Sequence, residues 1–389
     1  MSRSRTFLRR LAISLCSGAL ILVVVEGGLR LAGYDPVPHL TDGRELVVRP
    51  TADPELRYEL TPGTGGHFFG CDVSINQGGF RDDEYALAKP EGVSRIIALG
   101  DSITFGTGLG VDETWSSYLR LHVGKRAPGT QVLNMGVGGY DTVQEVRFLE
   151  RTGLAYDPDY VILGYCVNDL ATVSVNLEML IRIERFSEGI LSWSRTAQWV
   201  MLNHGHRLFA RDLYRQQAEE QARLDAVKAL DDPEVNELIA QVRAALDKGA
   251  WGKDSEEWPK VKRLRWYTSH GRVLRVQKAF ERLAALAEEH DFHACVFAVP
   301  FLDEEPFSET WARCYEIVRR LAEGAGLEFL DVRPEMMKLG LLTLQQGGKD
   351  PVHPNHLGHM AITRVLFRLS HDWEDVGARP RGAGHGPGK

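Results

Sequence analysis

The sequence predicts an α/β fold in which helices cover both faces of a parallel β-sheet. From Arg95 onwards, short apolar segments alternate with segments whose apolar residues recur at helical spacing. The apolar segments are continuous rather than alternating, which is typical of strands buried on both faces of a parallel sheet. The chain has 389 residues, of which 43% are hydrophobic, so it is long enough to bury such a core. The pattern therefore predicts three layers, α/β/α, around one sheet.

The alternation locates the strands and helices of a main domain over residues 95–375. The predicted strands cover residues 95–99, 131–135, 160–164, 294–299 and 327–331. The predicted helices cover residues 114–123, 142–151, 310–323 and 357–369. Because helices separate the strands, we expect a parallel sheet of five strands.

A helical insertion interrupts this alternation at about residues 172–270. Its best-marked helix begins at Asp232, has Pro233 at the first helical position and ends at Gly249. The insertion contains five of the eight tryptophans of the chain, Trp193, Trp199, Trp251, Trp258 and Trp266. Two interpretations stay open: the insertion forms a lid or wall of a site, or its tryptophans pack it onto the main domain.

Residues 1–33 predict an attachment to a membrane. Arg3, Arg5, Arg9 and Arg10 precede an apolar segment over residues 11–25, the order found in secretion signals. The arginines place the N-terminus inside and residues 34 onward outside the cytoplasm. No A-x-A cleavage site follows, so we interpret the segment as an uncleaved, single-pass signal anchor. A removed signal peptide and a buried N-terminal helix are the alternatives.

The composition narrows the class of protein further. The net charge of −7, without a basic stripe beyond the first ten residues, excludes a typical nucleic-acid binder. Five cysteines show no CxxC and no metal-ligand spacing, so no metal or other cofactor is expected. Cys16 follows a leucine rather than a small residue, and lipidation there is not expected.

Two segments flank the main domain. The composition of residues 34–94 predicts an irregular lead-in packed on the main domain, and that of residues 376–389 predicts a disordered tail.

Four polar or glycine-rich blocks lie where predicted strands end or just before the final helix. Ser102 follows the first strand, Gly139 the second and Asn168 the third, while Asp350 and His353 share the last loop. The carboxyl ends of parallel strands meet at one edge of a sheet, so we expect these residues to lie together. A serine needs a base, a group that orients the base, and donors for the charge that develops on a substrate oxygen. The four blocks contain candidates for each.

In this order the blocks resemble those of the SGNH (GDSL-type) hydrolase superfamily. The resemblance covers about residues 95–170 and 292–369 and leaves out the insertion and the N-terminal segment. It implies a flavodoxin-like fold and an ester hydrolase with Ser102 as nucleophile, His353 as general base and then acid, and Asp350 orienting His353. The implied oxyanion hole contains the N–H groups of Ser102 and Gly139 and the side-chain amide of Asn168.

Some neighbouring residues have competing interpretations. Gly136 and Gly138 are alternatives to Gly139 as the glycine of the oxyanion hole. Cys166 and Val167 stand where the family often has Gly-Thr and would reshape one wall of the pocket.

Ser102 itself could serve only as a helix cap. Asp101 is interpreted as a turn residue rather than a second catalytic acid, and Asp169 as a cap of the following helix. His356 and His359 invite a metal interpretation beside His353, but their spacing fits the start of an amphipathic helix.

Three hypotheses of function follow. The first is a serine esterase acting on carboxylic esters, short O-acyl groups such as acetyl on carbohydrate or envelope substrates. It would be tethered to the bacterial cytoplasmic membrane with its catalytic domain periplasmic or extracellular, or secreted if the signal is cleaved. The second is an O-acyltransferase that moves acyl groups between envelope carbohydrates with the same residues. The third is a non-catalytic carbohydrate-binding module on the same fold.

Overall fold

The computed structural model describes residues 2–34, 47–68, 71–171, 193–249, 251 and 254–368. The predicted tail over residues 376–389 and the first part of the predicted insertion lie outside these ranges. The chain divides into two compact units. One comprises Met1–Glu45 and Val175–Ala218, and the other Leu46–Ser174 and Glu219–Lys389. The insertion is thus divided between the units at Ala218.

The strands of the second unit fall into two short antiparallel pairs, one central sheet and a further short pair. The first four strands are β1 (Val48–Pro50), β2 (Tyr58–Leu60), β3 (Gly65–Phe68) and β4 (Cys71–Ser74). The central strands are β5 (Arg95–Gly100), β6 (Gln131–Gly136), β7 (Tyr160–Tyr165), β8 (His293–Ala298) and β9 (Glu328–Asp331). The last pair is β10 (Gln345–Gln346) and β11 (Asp350–Pro354).

The helices alternate with the central strands along the second unit, and the first unit is helical where it is described. They are α1 (Ser2–Leu31), α2 (Ser102–Phe105), α3 (Trp115–Arg126), α4 (Thr142–Arg151), α5 (Arg195–Ala226), α6 (Pro233–Asp247), α7 (Trp258–Leu264), α8 (His270–His290), α9 (Ser308–Gly324), α10 (Arg333–Leu339) and α11 (His356–Arg368). Helix α6 begins where the sequence predicts, because Asp232 accepts the N–H groups of Glu234 and Val235.

The central sheet has five parallel strands in the order β6-β5-β7-β8-β9. This is the order of flavodoxin-like folds, in which the connection reverses direction at the first strand. The fold class predicted from the sequence is confirmed, and every central strand lies within one residue of its predicted bounds. The prediction succeeds because β5, β6, β7 and most of β8 are buried and form continuous apolar segments in the sequence, whereas β9, at the edge of the sheet, is partly exposed.

Helices cover both faces of the sheet. The connections β5-α3-β6 and β6-α4-β7 run in opposite directions along the sheet, so right-handed crossovers place α3 and α4 on opposite faces. Helix α11 packs beside α3, and the Thr363 hydroxyl donates to the carbonyl of Trp115 over 3.1 Å. Helix α8 packs between α4 and α9 on the other face. The core therefore lies in two layers, one on each side of the strands.

The first unit contains α1 and the first part of α5. Within α1, residues Arg9–Leu31 are long and apolar enough to cross a membrane. The apolar side chains of this stretch, such as Ile21 and Val23, are exposed in the described structure. Length and composition thus permit a membrane span.

Substitution of Gly136 by alanine tests how closely the strand ends pack. A Cβ on Gly136 would lie 2.3 Å from the backbone N of Phe105, which cannot move without shifting α2. We expect Gly136→Ala to lower the free energy of unfolding by ~1–3 kcal/mol or more. The measurement is urea unfolding of the detergent-solubilised full chain, followed by circular dichroism.

Gly124→Ala is the matched control, because nothing lies within 4 Å of a Cβ at this position in α3. This change should stabilise the protein by ~0.5–1 kcal/mol, since alanine loses less backbone entropy than glycine in a helix. Equal unfolding midpoints for Gly136→Ala and the wild type would contradict the close packing.

Candidate active site

Three of the sequence-predicted blocks lie side by side because β5 has β6 and β7 as its neighbours. In the parallel register, Gly100 pairs with Gly136 on one side and with Gly164 on the other. The three strands therefore end at the same level, and the chain continues from them to Ser102, Gly139 and Asn168. This edge is the topological switch point of the sheet, where ligands bind in open α/β folds.

The fourth block reaches this edge from the other end of the sequence. The Ser102 hydroxyl lies 2.8 Å from His353 Nε2, and His353 Nδ1 lies 2.6 Å from Asp350 Oδ2. These partners fix the tautomer, with Nδ1–H donating to Asp350 and Nε2 accepting from Ser102. The His353 side chain is 23% exposed and that of Asp350 38%, so the Ser-His-Asp chain borders solvent.

A tight local structure holds Asp350 and His353 in place. Asp350 Oδ1 accepts the N–H groups of Val352 and His353, at 2.9 and 3.1 Å, which shapes the turn between them. The carbonyl of Pro351 accepts the N–H of Leu302, at 2.7 Å, and so attaches this segment to the loop that follows β8. The imidazole position is therefore set by the backbone on both sides of the turn.

The electrostatics of the pair favour a charged imidazolium. Burial by itself would raise the pKa of Asp350, but hydrogen bonds from His353 and from the N–H of Val352 lower it to about 2. Burial by itself would lower the pKa of His353, but the hydrogen bond and charge of Asp350, helped by Asp101, raise it above the usual histidine value. The arrangement thus stabilises the form that His353 takes after accepting a proton.

Two backbone N–H groups in the segments that follow β5 and β6 have no acceptor within the part of the chain that the structure describes. One belongs to Ser102, the first residue of α2, and the other to Gly139. Gly139 has φ +83°, a conformation that favours glycine. Gly138 is also close, since a Cβ there would lie 3.9 Å from Ser102 Cβ. Gly136, in contrast, ends β6 and packs against the backbone of α2.

Tyr58 orients the peptide group that carries the Gly139 N–H. The Tyr58 hydroxyl donates to the carbonyl of Gly138, at 3.0 Å. Because the carbonyl and N–H of one trans peptide point in opposite directions, this bond directs the Gly139 N–H away from Tyr58. The ring of Tyr58 is itself buried and lies 5.1 Å from that of Tyr140. No motif in the sequence marks Tyr58, which lies in the lead-in segment.

Asp101 holds Asn168 and the start of α2 together. Its Oδ2 accepts from Asn168 Nδ2 at 2.8 Å, and its Oδ1 accepts the N–H of Ile103 at 2.9 Å. The structure shows no acceptor within the described residues for the second N–H of the Asn168 amide. Asp101 also lies 3.2 Å from the Ser102 hydroxyl, a longer contact than that of His353. The structural role predicted for Asp101 is thus observed, and it extends to Asn168.

Two buried carboxyl groups lie behind this edge. Asp169 accepts from the Thr142 hydroxyl at 2.9 Å and from the N–H of Cys166 at 3.2 Å, so it joins the loop after β7 to α4. Glu145 is 1% exposed, and neither carboxyl oxygen has a hydrogen-bond partner within the described residues. Burial, with the nearby charge of Asp101 and, for Glu145, also that of Asp169, raises the pKa of both carboxyl groups well above the usual values. The sequence does contain a signal for Glu145, because it is an acid among the apolar residues on one face of α4, but the sequence analysis did not use it.

The histidines of α11 have different roles from His353. His359 is buried and its Nδ1 accepts the N–H of Trp115 at 3.0 Å, which connects α11 to the start of α3. Burial, with the positive charges that His353 and Arg81 can carry, lowers the pKa of His359 to about 3, so this imidazole is neutral. Within the described residues, no group of three or more His, Cys, Asp or Glu side chains is placed to hold a metal ion.

Arg263 is a second side chain near the site that the sequence does not mark. It comes from the insertion, at the end of α7, and lies over the Phe301 ring with its guanidinium carbon 5.2 Å from the ring centroid. Burial lowers its pKa, and the nearby Cys166 and Asp350 oppose that shift. Phe301 precedes Leu302, whose N–H donates to the carbonyl of Pro351, so the insertion places a cation beside β11, the strand that contains Asp350.

An open α/β sheet with hydrogen-bonded Ser, His and Asp side chains at its carboxyl edge is the arrangement of a serine-dependent hydrolase. The chain belongs to the GDSL-like lipase/acylhydrolase family, whose model matches residues 98–361, and it is an ester hydrolase. The family resemblance inferred from the four blocks is therefore confirmed. The roles of the individual residues stay predictions.

The solved structures to which this chain is similar are distant in sequence. Axe2, an acetylxylan esterase from Geobacillus stearothermophilus, is 14% identical with a TM-score of 0.40, over 71% of this chain and 93% of its own. LAE5, an α/β hydrolase enzyme from the metagenome of Lake Arreo, Spain, is 15% identical with a TM-score of 0.39, over 72% and 95%. The acetyl xylan esterase AlAXEase is 15% identical with a TM-score of 0.38, over 71% and 98%. No curated protein sequence matches the chain.

Substitution of Tyr58 by phenylalanine tests the orientation of the Gly139 peptide. Loss of the hydroxyl frees the Gly138 carbonyl, so we expect kcat for p-nitrophenyl acetate to fall about tenfold, less than on deletion of an oxyanion donor. KM should change little, because an oxyanion donor, the role expected of the Gly139 N–H, contributes mainly after the substrate oxygen becomes charged.

Tyr85→Phe is the matched control. The Tyr85 hydroxyl also donates to a backbone carbonyl, that of Val132 at 3.2 Å, but at the opposite end of β6. The same loss of kcat in both variants would show a general effect on the fold and contradict the role given to Tyr58.

Proposed function

We propose that this protein is a serine esterase that hydrolyses short O-acyl esters, acetyl esters above all, on carbohydrate substrates. The observation that carries the proposal is the continuous chain from the Ser102 hydroxyl through His353 to Asp350, with contacts of 2.8 and 2.6 Å. The N–H groups of Ser102 and Gly139, which have no acceptor among the described residues, support it, as does the second amide N–H of Asn168.

The geometry supports a two-step reaction. Ser102 Oγ attacks the ester carbonyl carbon while its proton passes to His353 Nε2, and Asp350 stabilises the imidazolium. The negative carbonyl oxygen accepts hydrogen bonds from Ser102 N–H, Gly139 N–H and Asn168 Nδ2. The bond to the alcohol oxygen then breaks, and His353 returns the proton to that oxygen. Water attacks the acyl-enzyme in the same way, which releases the carboxylic acid and restores Ser102.

The exposure of the site supports a bulky alcohol half. His353 and Asp350 keep partly exposed side chains, and Gly139 is exposed. A sugar ring can therefore stay in the solvent while only its acyl group reaches Ser102. Ile103, Cys166 and Val167 are buried beside the four blocks and leave their vicinity apolar. A small apolar acyl group such as acetyl suits these surroundings.

The N-terminal helix supports a location at the cytoplasmic membrane. Arginines precede the apolar stretch Arg9–Leu31, which orients such a helix with its N-terminus inside. The hydrolase domain would then face the periplasm or the exterior, where acylated polysaccharides are accessible.

Substitution of Ser102 by alanine tests the nucleophile. We expect the rate of p-nitrophenyl acetate hydrolysis to fall on the order of 10³-fold or more, because only adventitious water attack would remain. Acetate release from acetylated xylan and other acetylated polysaccharides is followed with the same two proteins. Ser74→Ala, at an exposed position of β4, is the control and should keep full activity.

Equal rates for Ser102→Ala and the wild type would contradict the proposed nucleophile. Ser102-dependent acyl transfer to added sugars, with no release of free acetate, would replace hydrolysis by the transferase reaction.

Substitution of Asp350 by asparagine tests the pH dependence. Because only neutral His353 can accept a proton, kcat/KM should rise as the pH passes upward through the pKa of His353, which Asp350 holds above its usual value. A neutral amide cannot stabilise the imidazolium, so the rise should move to lower pH in Asp350→Asn. The kcat should also fall by ~10⁴, because the amide favours the wrong tautomer. The amide oxygen can still accept the two N–H groups of the turn. An unchanged pH profile would contradict the pairing.

A further inference from the structure

Glu26 joins the two described parts of the first unit. It is the single acid among residues 1–34 and lies near the end of the apolar stretch of α1. Its carboxylate accepts the N–H groups of Arg195 and Thr196, at 3.0 and 2.8 Å, and the hydroxyl of Thr196 at 2.9 Å. The Ser194 hydroxyl also donates to it, at 3.1 Å. Glu26 therefore caps the start of α5 from a distant part of the sequence.

Arg30 extends this connection by one turn of α1. Its Nε donates to Glu26 at 2.7 Å, and its Nη2 donates to the carbonyl of Trp193. Residues 193–196 are thus held from two positions of the same helix. A removed signal peptide would have no use for such a link, whereas a retained helix would.

The depth of Glu26 determines where this segment lies. With Arg10 at the inner boundary, the ~20 residues that cross the hydrocarbon layer place Arg30 at the outer boundary. Glu26 precedes Arg30 by one helical turn and therefore lies ~6 Å inside that boundary. A carboxylate at that depth is costly unless polar groups surround it. Residues 194–196 supply those groups, so they must enter the outer interface to meet Glu26.

The side chains next to this cap suit the same depth. Trp193 is 70% exposed, Trp199 40% and Val200 42%. Tryptophan concentrates at membrane–water boundaries because its ring is apolar and its N–H can be hydrated. We propose that residues 193–200 form a second membrane contact, in which Trp193, Trp199 and Val200 enter the outer lipid interface beside α1. This inference rests on the proposed membrane span of α1.

Fluorescence of the full chain in phosphatidylcholine vesicles tests this contact. The lipid is brominated in the upper part of its acyl chains and quenches tryptophans at that depth. We expect Trp193→Phe with Trp199→Phe to remove at least half of the quenchable emission. Trp258→Phe with Trp266→Phe, two partly exposed tryptophans of the second unit, is the matched control and should keep it. The same quenched emission in the first pair and the wild type would overturn the inference.

Glu26→Ala provides a second test. Without its acceptor, the segment at Trp193 should leave the interface, so bromolipid quenching should fall and quenching by aqueous acrylamide should rise. No change in either would overturn the role of Glu26.

Two parallel readouts separate this inference from the proposals on which it rests. Release of the protein from the vesicles by alkaline carbonate would overturn the span and the contact together. If the protein stays on the vesicles and shows Ser102-dependent ester hydrolysis, but Trp193 and Trp199 are not quenched, only the contact is overturned.

Discussion

The pairing of β5 with both β6 and β7 is the constraint on which the site depends. Gly100 lies opposite Gly136 and Gly164, so three strands end at one level and three loops start from one edge. A slip of register would separate Ser102 from Gly139 and Asn168 by at least one strand residue, about 3.3 Å. The absence of side chains at these three glycines lets the loops approach closely. A Cβ on Gly100 would lie 2.1 Å from Thr104 Oγ1.

The lead-in segment completes this edge from outside the sheet. Besides Tyr58, it supplies the buried Arg81, which donates to the carbonyls of Phe105 and Gly106 at 3.0 and 2.7 Å and to that of Leu109. These carbonyls end α2 and begin the next loop, where a glycine with positive φ turns the chain. The helix that starts at Ser102 is therefore held at its start by Asp101 and at its end by Arg81.

Three buried carboxyl groups lie behind this edge. Asp101, Asp169 and Glu145 are buried close enough for their charges to influence one another. Burial raises the pKa of Glu145 and that of Asp169 well above the usual carboxyl values, so these two groups stay neutral more easily, and a neutral carboxyl can donate as well as accept. Asp101 has the most partners of the three, and it is the one that contacts Asn168 and Ser102. Asp169, next to Asn168 in the chain, connects this side of the site to α4 through the Thr142 hydroxyl.

The sequence by itself determined the α/β class, the five central strands and the blocks that contain Ser102, His353 and Asp350. These features are visible because burial on both faces of a sheet leaves continuous apolar segments and because the four blocks are short and local. Only the tertiary structure decided that Tyr58 and Arg81 support the site, that Arg263 lies beside it and that Glu26 caps α5. Each of these contacts joins residues that are far apart in the chain. Their partners are mostly backbone groups, which any sequence can supply, so no local pattern of residue types reports them.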